Sequence, residues 1–129
     1  DNVVRLYAAE HLTQTGRPQQ AIAAYQVMLD QNPGSALVLN NLASLYQRNN
    51  DKRALATAEQ AYKLAPDHPG VQDTLGWILV EQGQTARGLD LLKKAVSKAP
   101  DIPTLRYHYA AALARNGNKA EARKELDVW

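Results

Sequence analysis

Apolar residues return along this chain at helical spacing. Val71, Leu75, Ile78 and Leu79 fall on one face of a helix, as do Leu89, Leu92, Val96 and Ala99. Between such faces stand residues that start or stop helices. Gly16, Gly83 and Gly117 suit the left-handed position that ends a helix. Pro18, Pro69 and Pro103 suit a first turn, where no amide donor is lost, and Ser35, Thr85 and Asn118 suit N-caps. The pattern predicts eight helices, over residues 2–15, 18–31, 36–48, 52–64, 69–82, 86–98, 103–115 and 119–128, and requires no strand.

The punctuation is periodic. Pro33, Pro66 and Pro100 stand 33 and 34 residues apart. Ten residues after each comes a small residue (Ala43, Gly76, Ala110), and three further on a large one (Tyr46, Leu79, Leu113). Self-similarity at this period marks a stack of supersecondary units. Four copies fill one all-α domain, over residues 2–35, 36–68, 69–102 and 103–129. The small positions, Gly76 and Ala54 among them, let paired antiparallel helices approach closely. The second copy is one residue short in its turn, Asn49-Asn50-Asp51-Lys52-Arg53, which should alter the angle of its hairpin slightly and leave the fold intact.

Composition agrees and removes several functions. Ala and Leu dominate and Phe is absent, a balance that favours helix. The net charge is only +2, and Lys93, Lys94 and Lys98 follow Asp90 as a solvated face, so no nucleic-acid partner is expected. With no cysteine there is neither a disulfide nor thiolate chemistry, and no apolar run is long enough to span a membrane. His11 and His68 read as a solvated helix residue and a linker or cap, and no histidine has a metal-ligand neighbour at the right spacing. No carboxylate pair, phosphate loop or nucleophile elbow stands out. The expectation is a non-enzyme without metal or cofactor.

The repeats resemble the tetratricopeptide family. Leu75-Gly76, Leu79, Gly83, Gly88, Leu92, Ala95 and Pro100 follow its small-large-small order, as do Leu42-Ala43, Tyr46, Ala54, Ala58, Ala61 and Pro66. The first copy keeps Ala9, Leu12, Gly16, Ala21, Tyr25, Met28 and Pro33; the last keeps Ala110, Leu113, Gly117, Ala122 and Leu126. The resemblance implies an α-α solenoid, a right-handed superhelix whose first helices line a concave groove for an extended partner. Its groove slots fall on Leu6 and Glu10; on Asn40, Asn41, Ser44 and Gln47; on Asp73, Trp77 and Glu81; and on Tyr107, His108, Ala111 and Arg115. Trp77 follows Gly76 and is thus rotated about 100° from the partner helix. It serves either as an aromatic floor for a peptide or sugar, or as core against the neighbouring repeat. Asn40 and Asn41 either clamp a ligand backbone or bond a neighbouring helix. His108 alone in the groove titrates near neutrality, so a mild pH dependence of affinity is expected. Co-chaperone members grip a C-terminal carboxylate with two Asn, two Lys and one Arg; the corresponding slots here hold Leu6, Glu10, Asn41, Gly70 and Thr74, which argues against that ligand.

A narrower resemblance, over residues 36 to 127, is to bacterial TPR lipoproteins of exosortase (PEP-CTERM) and exopolysaccharide systems. It rests on Asn40-Asn41-Leu42-Ala43, Ala61-Tyr62-Lys63-Leu64-Ala65-Pro66, Asp73-Thr74-Leu75-Gly76-Trp77 and Leu105-Arg106-Tyr107-His108. It implies a periplasmic or outer-membrane-associated scaffold, with the cytoplasm as the alternative compartment. The expected partner is a protein or peptide segment. A polysaccharide stacked on Trp77 and Tyr107 is the second reading, and a spacer with an empty groove the third. The fourth copy stops inside its second helix, at Trp129, which leads to an expectation of either further repeats in a longer chain or end-to-end self-association.

Overall fold

The computed structural model describes residues 2–127. Among them stand eight α-helices and no strand: α1 (Asn2–Gln14), α2 (Pro18–Gln31), α3 (Ala36–Arg48), α4 (Ala54–Leu64), α5 (Pro69–Glu81), α6 (Thr85–Lys98), α7 (Pro103–Arg115) and α8 (Lys119–Asp127). The TPR-type α-α hairpin arrangement is the one the repeat pattern predicts. None of the helices is long and apolar enough to cross a membrane. The last predicted position of α8, residue 128, and Trp129 lie outside the described residues.

Each hairpin turns by the same backbone device. Gly16, Gly83 and Gly117 have φ of +76°, +88° and +87°. The amide of the next residue then reaches back five positions: Arg17 to the Leu12 carbonyl, Gln84 to Leu79 and Asn118 to Leu113, at 2.8–2.9 Å. The shortened second copy keeps the device with Asn50 at φ +54°, and Asp51 N–H donates to Tyr46 at 2.8 Å. Asparagine tolerates this region better than other residues with a Cβ. Here α4 begins at Ala54 rather than at 52. Asp51 Oδ1 accepts from the Arg53 amide and from Arg53 Nε at 2.9 and 3.0 Å, which holds Lys52 and Arg53 in the turn. Those bonds to Arg53 lower the Asp51 carboxyl to about 2.

Of the predicted caps, Ser35 and His68 act through their side chains. Ser35 Oγ accepts from the Val38 amide at 3.3 Å, and His68 Nδ1 accepts from Gly70 and Val71 at 3.1 and 3.3 Å. Thr85 is instead the first residue of α6, behind Gln84. Asn118 precedes α8, with its Oδ1 accepting from Asn116 Nδ2. The three lysines are exposed, and two are partnered: Lys94 pairs with Asp90 at 3.2 Å, and Lys98 Nζ donates to the Asp67 carbonyl at 2.7 Å.

The chain forms two compact units, residues 1–65 and 66–129. In the first, α1 packs on α2, α2 on α3 and α3 on α4. Its buried residues include Ala9, Ala21, Ile22, Tyr25, Leu42, Ala43, Leu45, Tyr46, Ala54 and Ala58. In the second, α5 packs on α6, α6 on α7 and α7 on α8, and α5 also touches α7. Val80, Leu92, Ala95, Leu105, Tyr109 and Leu113 form much of its core, with Trp77, Leu89 and Ala99 packed against it. Within the α5–α6 hairpin the backbones approach closely at Gly76 and Gly88. A Cβ on Gly76 would stand 3.0 Å from the Gly88 carbonyl oxygen; one on Gly88 would stand 2.5 Å from that of Gly76.

Candidate functional site

In the second unit, α5 contributes Asp73, Trp77 and Glu81, spaced i, i+4, i+8, so they rise along one face of the helix. The facing helix, α7, contributes His108 and Arg115, two turns apart. Together they form a ladder. His108 Nδ1 lies 2.8 Å from Asp73 Oδ1. A carboxylate only accepts, so in neutral His108 the Nδ1 carries the proton and donates it. The imidazole stacks on the Trp77 indole, with centroids 4.5 Å apart and planes at 16°. Arg115 lies over the same indole at 5.0 Å and pairs with Glu81 at 3.4 Å. Asp73 is buried, at 7% exposure, which it tolerates because His108 faces it. Tyr107 remains outside the ladder, 60% exposed and tilted against His108 with centroids 6.1 Å apart.

Six predicted groove residues of the third and fourth copies, Asp73, Trp77, Glu81, Tyr107, His108 and Arg115, thus come together in one unit. Trp77 packs on the core of the neighbouring repeat, and its ring surface is engaged by His108 and Arg115. Tyr107 is the exposed aromatic of the site.

The first unit carries the same slots with different occupants. Counting from the small residue of each copy, Glu10 and Asn41 stand where Trp77 and His108 stand in the second unit. Leu6 replaces Asp73, Gln14 replaces Glu81, and Arg48 matches Arg115. The smaller side chains leave space. A cavity of about 190 Å³ opens between α1 and α3, lined by Glu10, Thr13, Gln14, Tyr25, Asn41, Ser44 and Arg48. Beside it a second cavity of about 230 Å³ is lined by Val3, Leu6, Met28, Asn32, Ser35, Leu37 and Val38. Burial, then the negative charge of Glu10, pushes the Tyr25 hydroxyl above its ordinary range; Thr13 and Asn41 beside it pull the other way. It therefore remains a protonated donor at neutral pH.

The structure places Leu6, Glu10, Asn41 and Ser44 on these cavities, and leaves Asn40 and Gln47 half-buried elsewhere on α3. The Asn40 Oδ1 is buried and meets no donor of the protein. Sequence reasoning missed Arg48, Gln14 and Tyr25. The first two sit in the slots of Arg115 and Glu81, so the repeat phase itself would have found them. Tyr25 figures in the sequence only as a repeat-pattern position of the first copy.

A stack of two-helix repeats with side-chain ladders and cavities between successive first helices is the architecture of an interaction scaffold. The chain belongs to the tetratricopeptide repeat family: models of that repeat match residues 6–69 and 79–129. This fold is typically non-catalytic and mediates protein–protein contacts. A TPR repeat-containing protein of Pseudomonas aeruginosa is 33% identical over 78 residues, which span 57% of this chain and 13% of that protein. Cellulose synthase operon protein C of Pseudomonas fluorescens is 27% identical over 96 residues, covering 74% of this chain and 7% of that protein. The chain therefore corresponds to a small part of the curated relatives it matches. Among solved structures, PilW, described as a widely conserved type IV pilus biogenesis factor, superposes with a TM-score of 0.85 at 21% identity, over 96% of this chain and 58% of that one.

Proposed function

We propose that this domain grips an extended segment of a partner protein between α1 and α3 and between α5 and α7, within an assembly of the bacterial cell envelope. The observation that carries the reading is the α5–α7 ladder. Asp73, Trp77, Glu81, His108 and Arg115 are held by one another before any partner arrives. Side chains fixed in advance lose little entropy on binding, so more of the contact energy appears as affinity. Exposed Tyr107 then supplies an amphipathic ring to the partner. The envelope context is supported by the similarity to a segment of a cellulose synthase operon protein and by the fold shared with a pilus biogenesis factor.

The test is affinity capture from a bacterial envelope extract on the immobilised domain, beside an Asn41→Ala/Trp77→Ala/Tyr107→Ala variant, altered in both grooves and shown to be folded by circular dichroism. A protein retained by the wild type and lost by the variant is the expected result. Equal retention would place binding outside the grooves, and retention by neither would favour a spacer with an empty groove.

A further inference from the structure

The first unit differs from the second in what its groove leaves unpaired. In the second unit every charge on the ladder has a partner: Asp73 with His108, Glu81 with Arg115. In the first, Gln14 replaces the acid that would hold Arg48, and Glu10 stands in the tryptophan slot. Among the described residues neither Glu10 nor Arg48 is held in an ion pair. Glu10 is half-buried, whereas Arg48 is exposed at the rim. Around Glu10 the cavity is rich in acceptors. Thr13 Oγ1 spends its proton on the Ala9 carbonyl at 3.0 Å, so toward the cavity, where the Tyr25 hydroxyl lies beside it, it can only accept. Ser44, Asn41 and Tyr25 line the same space, and each carries an oxygen able to accept. An ammonium group has three donors and no acceptor, which matches this set.

The neighbouring cavity is mainly apolar, with Asn32 and Ser35 as its polar lining residues. Met28 and Val38 lie at 8% and 5% exposure, while Val3 and Leu37 stand at 60% and 50%. Met28 and Tyr25 are one turn apart on α2, so both cavities share a floor helix and adjoin along one groove. From Leu6 to Glu10 the rise along α1 is roughly 6 Å, and from Val38 to Ser44 along α3 roughly 9 Å. A β-strand spans about 7 Å between same-side residues two apart, and polyproline II about 9 Å between residues three apart.

We infer that the α1–α3 groove docks an extended peptide carrying a leucine-sized side chain two or three residues from a lysine, in either chain direction. The apolar side chain fills the space between Leu6, Met28, Leu37 and Val38, and the ammonium meets Glu10. This rests on the reading that the grooves hold extended peptide, and it names what the first groove selects.

The experiment is a titration of the ¹⁵N-labelled domain with short, end-blocked peptides on a serine–glycine background. They contain Leu-Ser-Lys, Leu-Ser-Ser-Lys, their reversals, and the same series with Glu for Lys and Ser for Leu. Saturable shifts around Leu6, Tyr25, Met28 and Asn41 are expected with the Leu/Lys peptides only. Removing either side chain should weaken binding at least tenfold. A Glu10→Lys variant that keeps its spectral dispersion should switch preference to the Leu/Glu series. Tighter binding of the Leu/Glu series by the wild type would overturn the inference and assign the anchor to Arg48. Shifts confined to α5 and α7 would overturn it while leaving groove binding standing. Absence of shifts with every peptide would overturn it as well, and groove binding would then stand or fall on the capture experiment.

Discussion

Gly88→Leu is expected to destabilise the domain by about 3 kcal/mol, the upper end of the cost of overpacking. The first carbon of the new side chain already conflicts with backbone. It would stand 2.5 Å from the Gly76 carbonyl oxygen and 3.0 Å from the Val80 amide nitrogen, and neither can rotate away as a side chain can. The remaining three carbons must also pass Val80, which is buried and whose Cγ2 would lie 2.7 Å from the new Cβ. The hairpin α5–α6 must therefore separate, uncovering Leu75, Leu79 and Leu92, which are fully buried now. Gly76→Leu should cost less, about 1–3 kcal/mol, because its Cβ would stand 3.0–3.2 Å from its three nearest neighbours rather than 2.5 Å from a carbonyl oxygen. Urea unfolding would show both, with the Gly88 variant displaced by roughly 1 M or more. Equal midpoints for wild type and Gly88→Leu would mean that the helices do not meet at these glycines.

Trp77→Ala is expected to cost about 2–3 kcal/mol, below the 3–5 of a fully buried tryptophan because the indole is only half-buried. Three contacts disappear together: the packing on the α6–α7 core, the stacked His108, and the Arg115 guanidinium. His108 keeps its bond to Asp73, so the variant should remain folded with the α5–α7 ladder loosened rather than lost. Unfolding measurements give the size of the change. His108 ring resonances give the loosening, through the loss of the upfield ring-current shift that the stacked indole imposes. Unchanged stability together with unchanged His108 shifts would contradict the stacked geometry.

The helices were legible because their ends are written in residues with one physical use each. Proline opens α2, α5 and α7 at the first turn, and glycine closes α1, α5 and α7 at positive φ. The exception follows from the same physics. Asn50 fills the glycine role in the second copy, and the Asp51–Arg53 contact delays α4, a detail of one turn that periodicity does not carry. The groove was legible as a set of slots, since the repeat phase fixes which positions face it. What fills it was not. Asp73 and His108 are 35 residues apart and meet only because adjacent first helices offset their slots by one position. Whether a slot is closed or open depends on side-chain size across two helices: Trp77 with His108 closes one groove, and Glu10 with Asn41 leaves a cavity in the other. Single-residue reasoning about Trp77 could weigh floor against core, but not foresee that His108 and Arg115 would occupy its ring.

Site-specific photocrosslinking tests the central claim most directly. A benzophenone side chain would be introduced in turn at Tyr107 on α7 and Ser44 on α3, and at the exposed control positions Val27 on α2 and Leu64 on α4. Irradiation in the presence of envelope extract should yield a protein adduct from Tyr107 and Ser44 and none from the controls. Adducts from Val27 or Leu64, with the groove positions silent, would contradict groove binding.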